Sequence, residues 1–188
     1  TGHWVEMNIS TTAFASLIND WIIWQPSEFR YWTATNMQEV FARGIESKID
    51  AVLKIYDLKF QLSVNYSLTR TADKVTDLNG NSSYTNQLIY IPIHKGNALL
   101  NVFYRTLSMN YSTNYTGKRF TNTISDEVQS SLPAFVLHNV GVKKTFEFKK
   151  HTFEMEARVN NLFNKEYQAI LWRAMPGRNY QFSVKLSF

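Results

Sequence analysis

The chain has 188 residues, 44% of them hydrophobic, with 13 Phe, 10 Tyr and 5 Trp, and a formal net charge of +5 from 20 Lys plus Arg against 15 Asp plus Glu. The absence of cysteine excludes a disulfide scaffold, a thiolate zinc site and a cysteine nucleophile, and the apolar, aromatic composition excludes a disordered chain. No stretch approaches the roughly 20 apolar residues of a membrane-spanning helix, which removes only the helical way across a bilayer.

Thr1 opens directly in patterned sequence with no leader-like stretch, as expected of a chain whose leader has been removed or of a piece of a larger one. From there the period is two. Val5, Met7 and Ile9 alternate with Glu6, Asn8 and Ser10. Ile45, Ile49, Leu53 and Ile55 face away from Glu46, Lys48, Asp50 and Lys54. Leu58, Phe60, Leu62, Val64, Tyr66 and Leu68 alternate with Lys59, Gln61, Ser63, Asn65, Ser67 and Thr69. Ala98, Leu100, Val102 and Tyr104 make the next apolar row, followed by Leu107, Met109, Tyr111 and Tyr115. Val136, Val140, Val142, Phe146 and Phe148 form another. Phe153, Met155, Ala157 and Val159 precede the clearest row, Tyr180, Phe182, Val184, Leu186 and Phe188. The reading is eight antiparallel strands and no helix.

Many of these strands reach ten residues, against about five or six in globular proteins and about 9–11 for a tilted bilayer crossing. Tight breaks near Tyr56-Asp57, Arg105 and Lys149-Lys150-His151 alternate with long polar connections over Asn19–Thr33, Thr71–Ile91, Lys118–Pro133 and Leu162–Gly177. Short turns at one rim and long loops at the other describe an up-and-down transmembrane β-barrel. The apolar face would touch lipid. Phe188, Phe148, Phe146 and Tyr104 lie near the short-turn ends, where an interfacial girdle belongs. Three residues break the apolar rows. Arg43 and His138 stand about ten residues or more above a short turn, near the top of a band about 25 Å tall. Lys144 lies close to the lower turn and must either snorkel or sit at a phase-slipping bulge. A soluble lipocalin-like carrier would show the same alternation turned inside out, but it does not account for the loop asymmetry.

Val159-Asn-Asn-Leu-Phe-Asn-Lys-Glu-Tyr167, then Pro176-Gly-Arg-Asn-Tyr180 and a strand ending in Phe188, closely resemble the C-terminus of TonB-dependent outer-membrane transporters, nearest to the vitamin B12 and siderophore branches. Asn36 with Arg43-Gly44-Ile45-Glu46 and the segment Ile91-Pro-Ile-His-Lys-Gly-Asn97 are similar to further family elements. The resemblance implies a barrel of 22 strands with a separate N-terminal plug and a TonB-contacting box. On that reading residues 1–188 are a partial barrel, its last eight strands, with the plug and the earlier strands absent. Asn161, Leu162, Phe163, Asn164, Pro176, Gly177, Arg178 and Tyr180 would be the family motif. Tyr180, Phe182, Leu186 and Phe188 would form the signal read by the barrel assembly machinery. The implied activity is energised uptake of a large scarce solute, a siderophore, a cobalamin or an oligomeric nutrient. The implied partners are outer-membrane lipid, the TonB complex through the missing plug, and that small-molecule or oligomeric ligand. A complete eight-stranded structural or adhesion barrel is the alternative.

The residues themselves point away from bond chemistry. His3, His94, His138 and His151 have no second ligand at metal spacing, so no metal or other cofactor is expected. Asp126 and His138, with Ser130 and Ser131 between them, are the only acid–base pair suggestive of a hydrolase, and these are common loop residues. Lys143, Lys144, Lys149 and Lys150 read as a solvated turn, and no motif for nucleic acid accompanies them. Asn110-Tyr-Ser112 and Asn114-Tyr-Thr116 read as polar lumen positions. Ligand contact is expected from large aromatic or cationic side chains in the loops: Trp24, Arg30, Tyr31, Trp32, Arg119, Trp172 and Arg173.

Overall fold

The structure, a computed structural model, describes residues 3–26, 31–76, 80, 82–84, 87–121, 131–148 and 151–188. Among these there is no helix. The strands are β1 (His3–Pro26), β2 (Trp32–Ile55), β3 (Leu58–Thr76), β4 (Ser82–Tyr84), β5 (His94–Tyr104), β6 (Leu107–Thr116), β7 (Arg119–Phe120), β8 (Ser131–Leu132), β9 (Phe135–Phe148), β10 (His151–Asn160) and β11 (Asn179–Ser187). One antiparallel sheet runs β1-β2-β3-β5-β6-β9-β10-β11, with β4 added to β3, and β7 and β8 form a separate small ribbon. Each apolar row of the sequence falls on one strand of this path. The sheet does not close: β1 and β11 are its two edges, and no register joins them.

The pleat never slips along the paired strands. Lys144 pairs with Met155 on one side and Leu107 on the other in unbroken registers, so no bulge carries it off the apolar face. Its Nζ instead donates to Thr106 Oγ1 at 2.6 Å in the turn below. This is the snorkelling solution: the ammonium, 6.0 Å from the Phe146 ring centroid, reaches down to the turn.

Three of the four expected connections are partly strand. The stretch 19–33 is largely ladder, because β1 and β2 keep one register up to Pro26↔Trp32, with a single gap at Asp20, which takes φ 56. β3 runs on to Thr76 and takes β4 as a partner, and the connection over 118–133 holds β7 and β8. Alternation is needed only where the two faces of a sheet meet different media. A ribbon with the same medium on both faces needs none, so Trp21-Ile-Ile-Trp24 can continue as strand without it. A strand of 24 residues extends about 80 Å, or some 55 Å at a tilt near 45°, twice the height of an apolar band of roughly 25 Å. The connection over 161–178 has no strand, as expected.

Burial is concentrated at the loop end. Among the described residues, Val40, Leu88, Ile89 and Leu132 are the buried hydrophobic ones, joined by Thr71, Asp73, Arg119, Thr121 and Asn161. The rest is a single layer with both faces open. Val5, Met7 and Ile9 are 70%, 61% and 63% exposed, so the apolar rows do not meet one another across an enclosed cavity. The chain exposes 13193 Å², whereas a compact monomer of this mass exposes roughly 9,300 Å². A soluble calyx does not leave its apolar rows in this state.

Candidate functional site

The polar rows share one face of the sheet and carry local clusters of ion pairs and hydrogen bonds. Lys48 pairs with Asp50 at 2.8 Å, and Asp50 accepts from Ser63 Oγ at 2.7 Å. Lys143 lies 3.7 Å from Glu154 and Arg158 donates to Glu156 at 2.8 Å. A groove of about 420 Å³ crosses this face over Thr12, Glu46, Lys48, Asn65, Lys95 and Asn97. A second, of about 260 Å³, is lined by Asn101, Asn110, Ser112, Asn139, Arg158 and Asn160. Mixed charge with amides and hydroxyls suits water or a polar filling, not hydrocarbon. Asn110 and Ser112 thus sit at polar-face positions, as their sequence context implies.

Glycine is required where this face is tightest. A Cβ on Gly44 would collide with the Leu68 carbonyl oxygen and come within 2.8 Å of the Phe14 ring. Phe14 is the cross-strand neighbour of Gly44 and covers the backbone that the missing side chain leaves bare.

At the loop rim, the motif residues build a clasp. Asn161, 5% exposed, takes φ 50, a left-handed conformation that Asn tolerates better than other non-glycine residues. Its Oδ1 accepts from Lys165 N at 2.8 Å, and its Nδ2 donates to Lys165 O at 2.9 Å and Pro176 O at 3.4 Å. Its own N–H donates to Asn139 Oδ1 at 2.9 Å, and Asn139 Nδ2 donates to Ser112 Oγ at 3.0 Å. Asn164, also at φ 50, accepts from Arg178 N at 2.8 Å. A Cβ on Gly177 would stand 2.8 Å from that same Asn164 Oδ1. The Asn-Leu-Phe-Asn and Pro-Gly-Arg elements are therefore two halves of one fastening that closes the connection 161–178 onto the sheet. Phe163 lies edge-on to His138, with ring centroids 5.0 Å apart. Tyr180, the second residue of β11, is 72% exposed on its apolar face.

The candidate ligand residues occupy separate places. Trp24 pairs with Ala34 near the end of the β1–β2 ribbon and is exposed, as is Tyr31; Trp32 lies tilted against Tyr90 with ring centroids 6.0 Å apart. Trp172, 72% exposed and at φ 62, caps the clasped connection beside Arg173, whose N–H donates to Ile170 O. The ribbon and this loop lie at opposite edges of the path, about 34 Å apart along a sheet with strands spaced near 4.8 Å. Arg30 lies outside the described residues, as do Asp126, Ser130, Lys149 and Lys150. His138 shares a hydrogen bond of 2.6 Å with Tyr111 OH.

Arg119 is 3% exposed. Its Nη2 donates to Pro133 O at 3.0 Å and its guanidinium lies 4.8 Å from the centroid of Phe135, whose other neighbour is Tyr167 at 4.6 Å. Burial pulls its pKa below the usual guanidinium range. This column ties the β7–β8 ribbon to the last loop. Sequence reading passed over Arg70 and Asn139. Arg70 is in phase with Leu68, so continuing the alternation by one step finds it. Asn139 carries no signal until its partner Asn161 is placed.

No protein-family model matches the sequence, and no curated protein matches it. Three solved structures are similar. BauA, the ferric preacinetobactin receptor of Acinetobacter baumannii, is 20% identical, with 98% of this chain and 27% of that one covered at a TM-score of 0.68. The siderophore receptor PirA of the same organism is 18% identical, covering 96% and 29% at 0.62. The FrpB iron transporter of Neisseria meningitidis (F3-3 variant) is 19% identical, covering 95% and 27% at 0.57. The chain spans less than a third of the length of each. The likeness is one of fold, and it agrees with the resemblance carried by the C-terminal motif.

Proposed function

We propose that this chain is a wall segment, the last eight strands, of a 22-stranded TonB-dependent outer-membrane transporter that takes up a ferric siderophore. The observation that carries the reading is the fold shared with two siderophore receptors and an iron transporter over 95% or more of this chain and under a third of theirs, on a sheet with two unpaired edges. Unpaired backbone is prohibitive in hydrocarbon, so neighbouring strands would seal β1 and β11. The segment contributes barrel wall, loops and the folding signal of Tyr180, Phe182, Leu186 and Phe188; the plug and the TonB contact belong to other parts of the protein. Trp24, Tyr31, Trp32, Trp172 and Arg173 line the outer rim, where aromatic and cationic groups suit a planar, anionic iron chelate. Transport, not catalysis, is the activity. Deleting the gene should abolish uptake of one labelled ferric siderophore under iron limitation, and restoring it in a strain without TonB should not bring uptake back. Uptake that persists without TonB would overturn the reading.

A further inference from the structure

The apolar rows of β2 and β3 are interrupted together. Two residues beyond the Ile45–Leu68 pair Arg43 faces Arg70 directly, and Phe41 with Ala72 follows above them. Like charges opposite one another on a sheet repel. Among the described residues neither arginine has an ion-pair partner. The nearest carboxylate on this face, Glu39, is engaged by Lys74 at 3.3 Å. Arg43 lies 5.8 Å from the Phe41 ring centroid, which holds it without neutralising it.

Both arginines are exposed and open into a groove of about 430 Å³ with Phe41, Ala72, Gln87 and Ile93 along its walls. Gln87 fixes that wall by accepting from Thr71 N at 3.0 Å and donating to Ile91 O at 3.2 Å. Just below, Tyr66 OH shares a 2.7 Å hydrogen bond with His94 Nδ1, an amphipathic pair of the kind found at a lipid–water boundary. Arg43 stands twelve residues before Ile55, and Arg70 twelve after Leu58, the two residues flanking the turn. At about 3.3 Å per residue and a tilt near 45° that is some 28 Å, just above an apolar band of roughly 25 Å.

We propose that Arg43 and Arg70 together hold the phosphate of an anionic lipid headgroup in the outer leaflet, with the lipid's apolar part running down the row of Leu68, Tyr66 and Val64. Two guanidinium forks present a converging donor set for phosphate oxygens, and the bound anion removes the repulsion that the protein leaves standing. The site rests on the membrane reading given above.

The full-length protein is inserted into phosphatidylcholine vesicles with or without phosphatidylglycerol or a phosphorylated glycolipid, then extracted in mild detergent, and retained lipid is counted by native mass spectrometry. The wild type should keep phosphate-bearing anionic lipid in preference to phosphatidylcholine. Each of Arg43→Gln and Arg70→Gln should weaken retention about fivefold, and the pair roughly thirtyfold. Lys48→Gln, on the opposite face, should change nothing. Inorganic phosphate, with no acyl chain to pack, should not displace the lipid. Should the double variant fail to insert, either single variant gives the same reading. Unchanged retention in an inserted variant, or full displacement by inorganic phosphate, would overturn the lipid site alone. A protein that enters none of the vesicles would overturn the membrane reading along with it.

Discussion

Asn161 shows how much a single amide can carry. It is buried, left-handed, and joined to Asn139, Lys165 and Pro176. Asn161→Ala removes the side-chain bonds, leaves the N–H and carbonyl of Lys165 and the carbonyl of Pro176 short of a partner, and puts a residue without that tolerance at positive φ. These losses add to about 2–4 kcal/mol. The denaturant midpoint of the vesicle-inserted protein should fall accordingly, with Asn161→Gly recovering only the backbone part. Arg119 makes the contrasting case. Its guanidinium lies inside the Phe135–Tyr167 column, so Arg119→Ala should lower stability, while Trp172→Ala should weaken siderophore binding with the unfolding midpoint unmoved. Ligand titration alongside a melt separates the two. Burial lowers the Arg119 pKa. A depressed base costs stability while it is charged, and that cost disappears only as pH rises through the lowered pKa. No pH effect from this residue is expected near neutrality.

Legibility differs sharply between elements. The rows from Leu58 to Leu68 and from Tyr180 to Phe188 are readable because one face of the sheet is apolar and the other polar, which fixes alternate positions. The same logic makes 19–33 misleading: Trp21 to Trp24 pair with Met37 to Ala34, but their sequence carries no such alternation. The clasp was visible as a motif, and its mechanics were not, since Asn164 and Gly177 meet only after the chain has turned back on itself. The face assignment can be tested within one strand. Leu62→Arg, placed near the middle of the apolar row, should cost about 2–4 kcal/mol of folding stability in a bilayer. Its neighbour Gln61→Arg on the polar face should cost far less. Equal costs would mean that the two faces see the same medium. The tight turns offer a control. Asp57 and Arg105, from adjacent turns, pair at 3.1 Å, and the carboxylate raises the arginine's pKa through a hydrogen bond. A raised cation pKa gives a contribution present at all lower pH and lost only in strong base. Both groups are well exposed, so Arg105→Gln should leave the midpoint unchanged.

At the scale of the molecule, the open edges decide what the chain can do by itself. β1 offers 24 residues and β11 nine, each with one side of its backbone unpaired, and the sheet between them is a single layer. Edges of this length recruit other strands, and in detergent or lipid the penalty for leaving them bare is larger still. A sheet of eight strands can close into a small barrel, but here the polar face would then have to fill a narrow interior, and the upper halves of β1 and β2 would stand outside it as a projecting ribbon. The 188-residue chain refolded in detergent should therefore self-associate edge to edge and show a broad size distribution by sedimentation. Joined to the strands proposed to flank it, the same segment should be part of a monodisperse monomer. A sharp monomeric boundary for the isolated chain, together with the resistance to SDS at room temperature that closed barrels show, would mean that β1 and β11 find each other. The wall-segment reading would then give way to a complete eight-stranded barrel, and the extended β1–β2 ribbon would be its most prominent candidate for surface contact.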